Sequence, residues 1–259
     1  PITEGPWGSV ADDLYMGMLS GSVWGALPIC WYYNYTKDEK YLAETAYPYL
    51  KEVANFWEAY LVKENNKWVI KYAGDREWYS YEDINSAMDN AVVVSFFKNM
   101  LNYSDQLGVD KDKRELWQDF VTNMKALPTG NYLGKEVFFE FDGGSIKEVD
   151  WPGLVMIAGH ANAVNLSSVS DLRQRFINTI DAFNSWETPN APGFLWASAI
   201  KGGYPPDALL DRFRYLLSQH MRRNFTIPTG GHGTESISSL DYIYSMMLQS
   251  DEGFLRLFP

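Results

Sequence analysis

Apolar residues recur at intervals of three and four along most of the chain, which is the spacing of one face of an α-helix. The pattern is clearest in residues 37–62. Pro48 lies inside this stretch and fits best as the first residue of a new helical turn, where its missing N–H costs no hydrogen bond. We therefore predict an amphipathic helix whose buried face carries Leu42, Ala46, Leu50, Val53, Trp57 and Leu61.

Other segments have the same period and recognisable ends. Ser86 followed by Asp89 is typical of a capping box, and Gly108 is a suitable stop for the helix that follows. The next helix keeps its apolar residues in phase as far as Leu127, and Pro128 is predicted to end it. Further helices are predicted in residues 12–36, 168–183, 205–221 and 238–250.

Two short stretches, Lys67–Tyr72 and Gly134–Gly144, alternate in polarity and are bounded by turn residues, so they are predicted to be extended. The sequence contains no fixed-period repeat and no Ser/Pro-rich linker. The simplest prediction is one all-α domain over residues 1–259, with helices paired as antiparallel hairpins and minor β-hairpins between them.

Composition narrows the possible functions. Hydrophobic residues make up 46% of the chain, which allows a substantial core and argues against long disorder. The net charge of −11 argues against nucleic acid or an anionic membrane surface as a partner. The single cysteine, Cys30, excludes an intrachain disulfide. The first residues carry neither signal-peptide features nor an initiator Met, so we expect a processed or truncated piece.

Motifs for metals and nucleotides are missing from the sequence. It has no His-Glu-x-x-His or cysteine cluster, and the run GGHG is not followed by Lys-Ser/Thr as in a phosphate loop. We therefore expect no cofactor. Aromatic residues make up 16% of the chain, which suits a large helical core or a site where flat rings stack on sugars.

Three segments resemble one family, glycoside hydrolase family 95. The run YNYTKDEKYLAETAYPYLKEVANFWEAYLV is similar to a pair of its helices, and SMMLQSDEGFLRLFP to the end of its barrel. The run GGHGTES lies where the family places a Gly-rich catalytic loop. The resemblance implies an (α/α)6 toroid with a sugar site in a central funnel. This chain is expected to begin partway around that barrel, in a protein that is extracellular or periplasmic.

Glu77 is the first candidate for the chemistry. Glycoside hydrolysis needs two carboxylates, one to protonate the leaving oxygen and one to activate water or attack the anomeric carbon. Counted without a gap from Val69, Glu77 falls on the general acid of the family's Ser-Pro-Glu-Asn motif, although Arg76 and Trp78 replace the Pro and Asn. Arg76 would favour ionised Glu77, which opposes the role of an acid. The alternative is a solvated loop carboxylate.

Glu235 is the second candidate. Its Gly-rich loop lets backbone approach a ligand and leads into a helix. Well-known family members place a catalytic Asp before the first Gly of this loop, where this chain has Thr229. Some family-like sequences have Gly-Ile-Glu in the loop, and Glu235 fits that pattern. The alternative is a carboxylate that stabilises a helix N-terminus.

Substrate contacts are expected from residues near these candidates. His232 in the same loop is a possible hydrogen-bond partner for a sugar hydroxyl, and Thr229 and Arg76 lie beside the proposed chemistry. Trp78 and Trp151 adjoin loops and are the favoured stacking residues, with Trp24, Trp31 and Trp196 also available. Trp57 and Trp117 lie in phase with helical cores.

Three hypotheses for function remain. The first is an inverting exo-glycosidase acting on an α-L-fucoside, an α-L-galactoside or a related terminal sugar. The second is a catalytically impaired, carbohydrate-binding remnant of the same fold, which Thr229 and the truncated start favour. The third is an unrelated helical toroid that binds a partner. The sequence does not predict an oligomeric state.

Overall fold

The computed structural model describes residues 19–71, 84–146, 152–187, 192–223 and 239–259. The chain divides into two compact units, residues 1–128 and 129–259. Helices dominate both units, and the strands in the described ranges form only two-stranded antiparallel sheets. The predicted all-α class with minor β-hairpins is therefore confirmed. The assignment of residues 1–259 to one domain stays a prediction.

The described part of the first unit is a set of helices with one β-hairpin. Helix α4 contacts α1, α3 and α5, so it lies at the centre of this packing. The hairpin β1–β2 turns at two asparagines with left-handed backbone. The elements are α1 (Gly21–Thr36), α2 (Glu39–Tyr41), a π-turn (Leu42–Ala46), α3 (Tyr47–Tyr60), β1 (Val62–Glu64), β2 (Lys67–Val69), α4 (Ala87–Leu107), a 3₁₀ turn (Lys111–Lys113) and α5 (Arg114–Asn123).

The predicted apolar face of residues 37–62 is confirmed, since all six of its residues are buried. Pro48 lies in the first turn of α3, directly after the π-turn. Proline cannot donate a backbone hydrogen bond to the turn before it, and a π-turn is one way for a helix to continue past such a gap. The predicted place of Pro48 at the start of a helical turn is thus confirmed.

The predicted start and stop of α4 are confirmed, but α5 ends earlier than predicted. The Ser86 hydroxyl accepts a hydrogen bond from the Asp89 amide, and Gly108 ends α4 with φ of 70°. Helix α5 ends at Asn123 rather than near Pro128. The Lys125 amide donates to the Trp68 carbonyl over 2.8 Å, so the chain leaves the helix to run beside β2.

Aromatic rings fill the core of this unit. Phe97 of α4 is fully buried, with its ring 4.8 Å from that of Phe120 and 6.2 Å from that of Trp117. Trp57 and Trp117 are both fully buried, as their helical phase predicted. The second unit's Trp196 is fully buried as well, packed 5.0 Å from Trp186, so it is a core residue and not a sugar-stacking one.

In its described residues, the second unit combines helices of 4 to 15 residues with two β-hairpins. Helix α7 packs on β4, and the Thr179 hydroxyl of α7 accepts a hydrogen bond from the Phe138 amide over 2.9 Å. Its elements are β3 (Thr129–Tyr132), β4 (Lys135–Phe138), a 3₁₀ turn (Pro152–Val155), α6 (Met156–Gly159), α7 (Ser170–Phe183), a π-turn (Pro192–Trp196), α8 (Ala197–Lys201), α9 (Pro206–His220), α10 (Ser239–Met247), β5 (Leu248–Gln249) and β6 (Arg256–Leu257).

Ion pairs hold the C-terminal hairpin β5–β6 in the second unit. The Arg256 guanidinium pairs with Glu252 at 3.0 Å and donates to the Ser167 hydroxyl. Lys201 of α8 lies 3.3 Å from Asp251 in the turn of the same hairpin. These contacts connect the end of the chain to the loop before α7 and to α8. Of the helices in the described ranges, none is long and apolar enough to cross a membrane.

Replacing Phe97 with alanine should lower the free energy of unfolding by about 3–5 kcal/mol, because the cavity left between the rings of α4 and α5 cannot be refilled. Lys98→Ala is the matched control, since Lys98 follows on the same helix and is exposed. Denaturant unfolding of both variants measures the difference. Equal stability of the two variants would contradict the buried position of Phe97.

Candidate functional site

All seven residues predicted for the site lie outside the described residues. They fall in three separate stretches of the chain, 72–83, 147–151 and 224–238. Their roles, and the separation of the two carboxyl groups, therefore stay predictions. They are Arg76, Glu77 and Trp78 in the first stretch, Trp151 in the second, and Thr229, His232 and Glu235 in the third.

The structure does describe the frame that carries the first stretch, here called the Glu77 segment (residues 72–83). Lys71 and Ile84, the residues on either side of it, form an antiparallel bridge. One residue further on, the Asn85 amide donates to the Ile70 carbonyl over 2.8 Å. The residues that flank the Glu77 segment on its two sides therefore lie next to each other.

Asn85 is the centre of this frame. Its backbone is left-handed, with φ of 60°, a conformation that asparagine tolerates better than most residues. Its side chain is fully buried and donates to the Ala126 carbonyl over 3.0 Å. Its amide oxygen accepts a hydrogen bond from Asn90 of α4 over 2.7 Å. Asn85 thus joins the end of β2, the first turns of α4 and the chain after α5.

Asn90 completes the connection. Its side-chain nitrogen donates to the Asn85 side chain and also to the Lys125 carbonyl, both over 2.7 Å. Asn90 is itself buried, so the two amides form a hydrogen-bonded network shielded from water. Buried amides of this kind fix geometry strongly, because breaking one contact leaves a polar group without solvent.

A second contact holds the hairpin β1–β2 against α5. Lys63 and the indole nitrogen of Trp68 both donate to one oxygen of Asp119, each over 2.7 Å. Asn123 donates to the other oxygen over 2.7 Å. The hydrogen bond from Lys63, followed by those from Asn123 and Trp68, lowers the pKa of Asp119 to about 2. The carboxylate is therefore ionised across the ordinary pH range. The strand that leads into the Glu77 segment, β2, is held by its pairing with β1 and by the bond from Trp68 to Asp119 of α5.

Two fully buried carboxylates were not predicted as site candidates, Asp89 and Glu140. Asp89 lies in the first turn of α4, one position before Asn90, where the sequence suggested only a capping partner for Ser86. Glu140 follows β4, between two phenylalanines. In both cases the available signal was an acidic residue inside an apolar run. Burial of a carboxylate is costly, and such groups are enriched at functional sites.

The third stretch, which carries Glu235, lies between α9 and α10 of the second unit. Near the end of α9, His220 approaches Glu187 with 3.0 Å between Nε2 and Oε2. The guanidinium of Arg212 on the same helix stacks 4.6 Å from the ring centre of Trp186. Helix α10 packs against α8 and the π-turn before it. Both flanks of the third stretch are thus anchored within their own unit.

The described ranges contain no group of three or more His, Cys, Asp or Glu residues that could hold a metal ion. His160 is partly buried, and its ring lies 6.0 Å from that of Phe194. Burial, and then the charge of Lys201, lower the pKa of His160 to about 4. This imidazole is therefore neutral at neutral pH.

Comparison with known protein families decides the identity of the chain. The model of the glycosyl hydrolase family 95 catalytic domain matches residues 5–135, just over half of the chain. The protein belongs to this family. The matched range contains the Glu77 segment and the whole of its frame. A comparison with curated proteins found no match.

Membership of glycosyl hydrolase family 95 makes the protein a glycoside hydrolase whose substrate is a carbohydrate. It also agrees with the helical-hairpin fold class predicted from the resemblance. The match ends at residue 135, so the stretch that carries Thr229, His232 and Glu235 lies beyond it. Of the two proposed catalytic carboxylates, Glu77 lies inside the matched range and Glu235 lies outside it.

The contact between Asp119 and the hairpin should make stability depend on pH. Because the pKa of Asp119 is about 2 in the folded protein and near 4 in the unfolded chain, its contribution is present above pH ~4 and is lost as the pH falls towards 2. Asp119→Asn should therefore lower the free energy of unfolding by roughly 0.5–1.5 kcal/mol at neutral pH. This difference should shrink below pH ~4.

Chemical unfolding of both proteins between pH 3 and 7 measures this effect, with Glu115→Gln as the matched control. Glu115 is an exposed carboxylate on the same helix. If the free energies of unfolding of Asp119→Asn and the unchanged protein differ by the same amount at every pH, the lowered pKa of Asp119 is contradicted.

Proposed function

We propose that this family 95 domain removes a terminal α-L-fucose, α-L-galactose or related sugar from oligo- or polysaccharides, with inversion at the anomeric carbon. Glu77 acts as the general acid that protonates the leaving oxygen. Glu235 acts as the base that activates water, or as a carboxylate that holds the substrate. His232, Thr229, Arg76, Trp78 and Trp151 contribute to sugar binding.

The observation that carries the assignment of Glu77 is the position of its segment. The family match covers this segment, and the protein holds both of its ends at a single bridge beside buried, hydrogen-bonded amides. Catalytic side chains on loops need such a rigid base, because acid catalysis requires the proton donor within hydrogen-bond reach of the leaving oxygen. In sequence, Glu77 is six residues from Lys71 and seven from Ile84, near the middle of its segment.

The proposal requires that the surroundings of Glu77 keep its carboxyl protonated. A general acid must hold its proton near neutral pH, so the pKa of Glu77 has to rise from its ordinary value near 4. Arg76 acts in the opposite direction. Removal of Glu77 from water, or a second carboxylate beside it, is therefore needed to outweigh the arginine.

A second candidate function is a carbohydrate-binding domain with impaired catalysis. Thr229 favours it, since a threonine occupies the position where well-known family members have a catalytic aspartate. In this case the protein binds the sugar without turnover. The two functions differ in whether the unchanged protein turns the sugar over, which a kinetic assay together with a binding assay distinguishes.

Glu77→Gln should reduce the rate on substrates with a poor leaving group by roughly a hundredfold or more, the usual contribution of a general acid. Substrates with very good leaving groups should be affected less, because they need little protonation. Glu235→Gln should slow all substrates alike. Steady-state kinetics on a series of aryl glycosides measures both effects.

Glu82→Gln is the matched control, because it removes the same charge from the same segment. Wild-type activity of Glu77→Gln on a poor leaving group would exclude Glu77 as the acid. No turnover by the unchanged protein, together with calorimetric binding of the sugar, would support the binding function instead.

A further inference from the structure

We draw no further inference here: the strongest candidate, the exposed apolar patch that Leu248, Phe254, Leu255, Leu257 and Phe258 form on and beside the C-terminal hairpin β5–β6, carries no proposal because nothing in the structure shows what covers it.

Discussion

The hydrogen-bonded pair of buried amides, Asn85 and Asn90, is the constraint that joins three segments of the first unit. Amide groups removed from water must find partners, and these two find them in each other and in the carbonyls of Lys125 and Ala126. Each lost contact would leave a buried polar group unsatisfied, at a cost of about 1–3 kcal/mol. The pair therefore holds three chain segments in a single arrangement.

The rest of the unit is built so that this arrangement is rigid. The aromatic core of α4 and α5 fixes the two helices, and Asp119 ties the hairpin to α5. The Glu77 segment begins and ends on these fixed elements. Rigid elements are a general way in which a protein places reactive side chains, and the range that matches the glycoside hydrolase family includes the Glu77 segment.

The helices could be predicted from local pattern because the residues spaced at the helical period are the ones that are buried. The face from Leu42 to Leu61 is buried as its spacing indicates, and Ser86 and Gly108 act as the predicted helix ends. The end of α5 was predicted incorrectly, because Lys125 bonds to Trp68 of a strand 57 positions earlier in the chain. Local signals such as Pro128 carry no information about a partner so distant.

The site was harder to predict than the fold for the same reason. Glu77 was predicted through a family motif and its role stays a prediction, whereas the amides next to its segment carry no motif at all. Asn85 and Asn90 are ordinary polar residues in the sequence, and their buried side chains donate to the carbonyls of Ala126 and Lys125, which lie far along the chain. The buried carboxylates Asp89 and Glu140 belong to the same class, since their apolar neighbours predict burial and not a role.

The most direct test of the account is a crystal structure of the protein with a non-hydrolysable terminal α-L-fucoside bound. The account predicts a Glu77 carboxyl within about 2.6–3.2 Å of the glycosidic oxygen, with the contacts of Asn85 intact. The carboxyl groups of Glu77 and Glu235 should lie ~6.5–9.5 Å apart, as inversion requires. A sugar bound far from Glu77, with the Glu77 carboxyl turned to open solvent, would contradict the account.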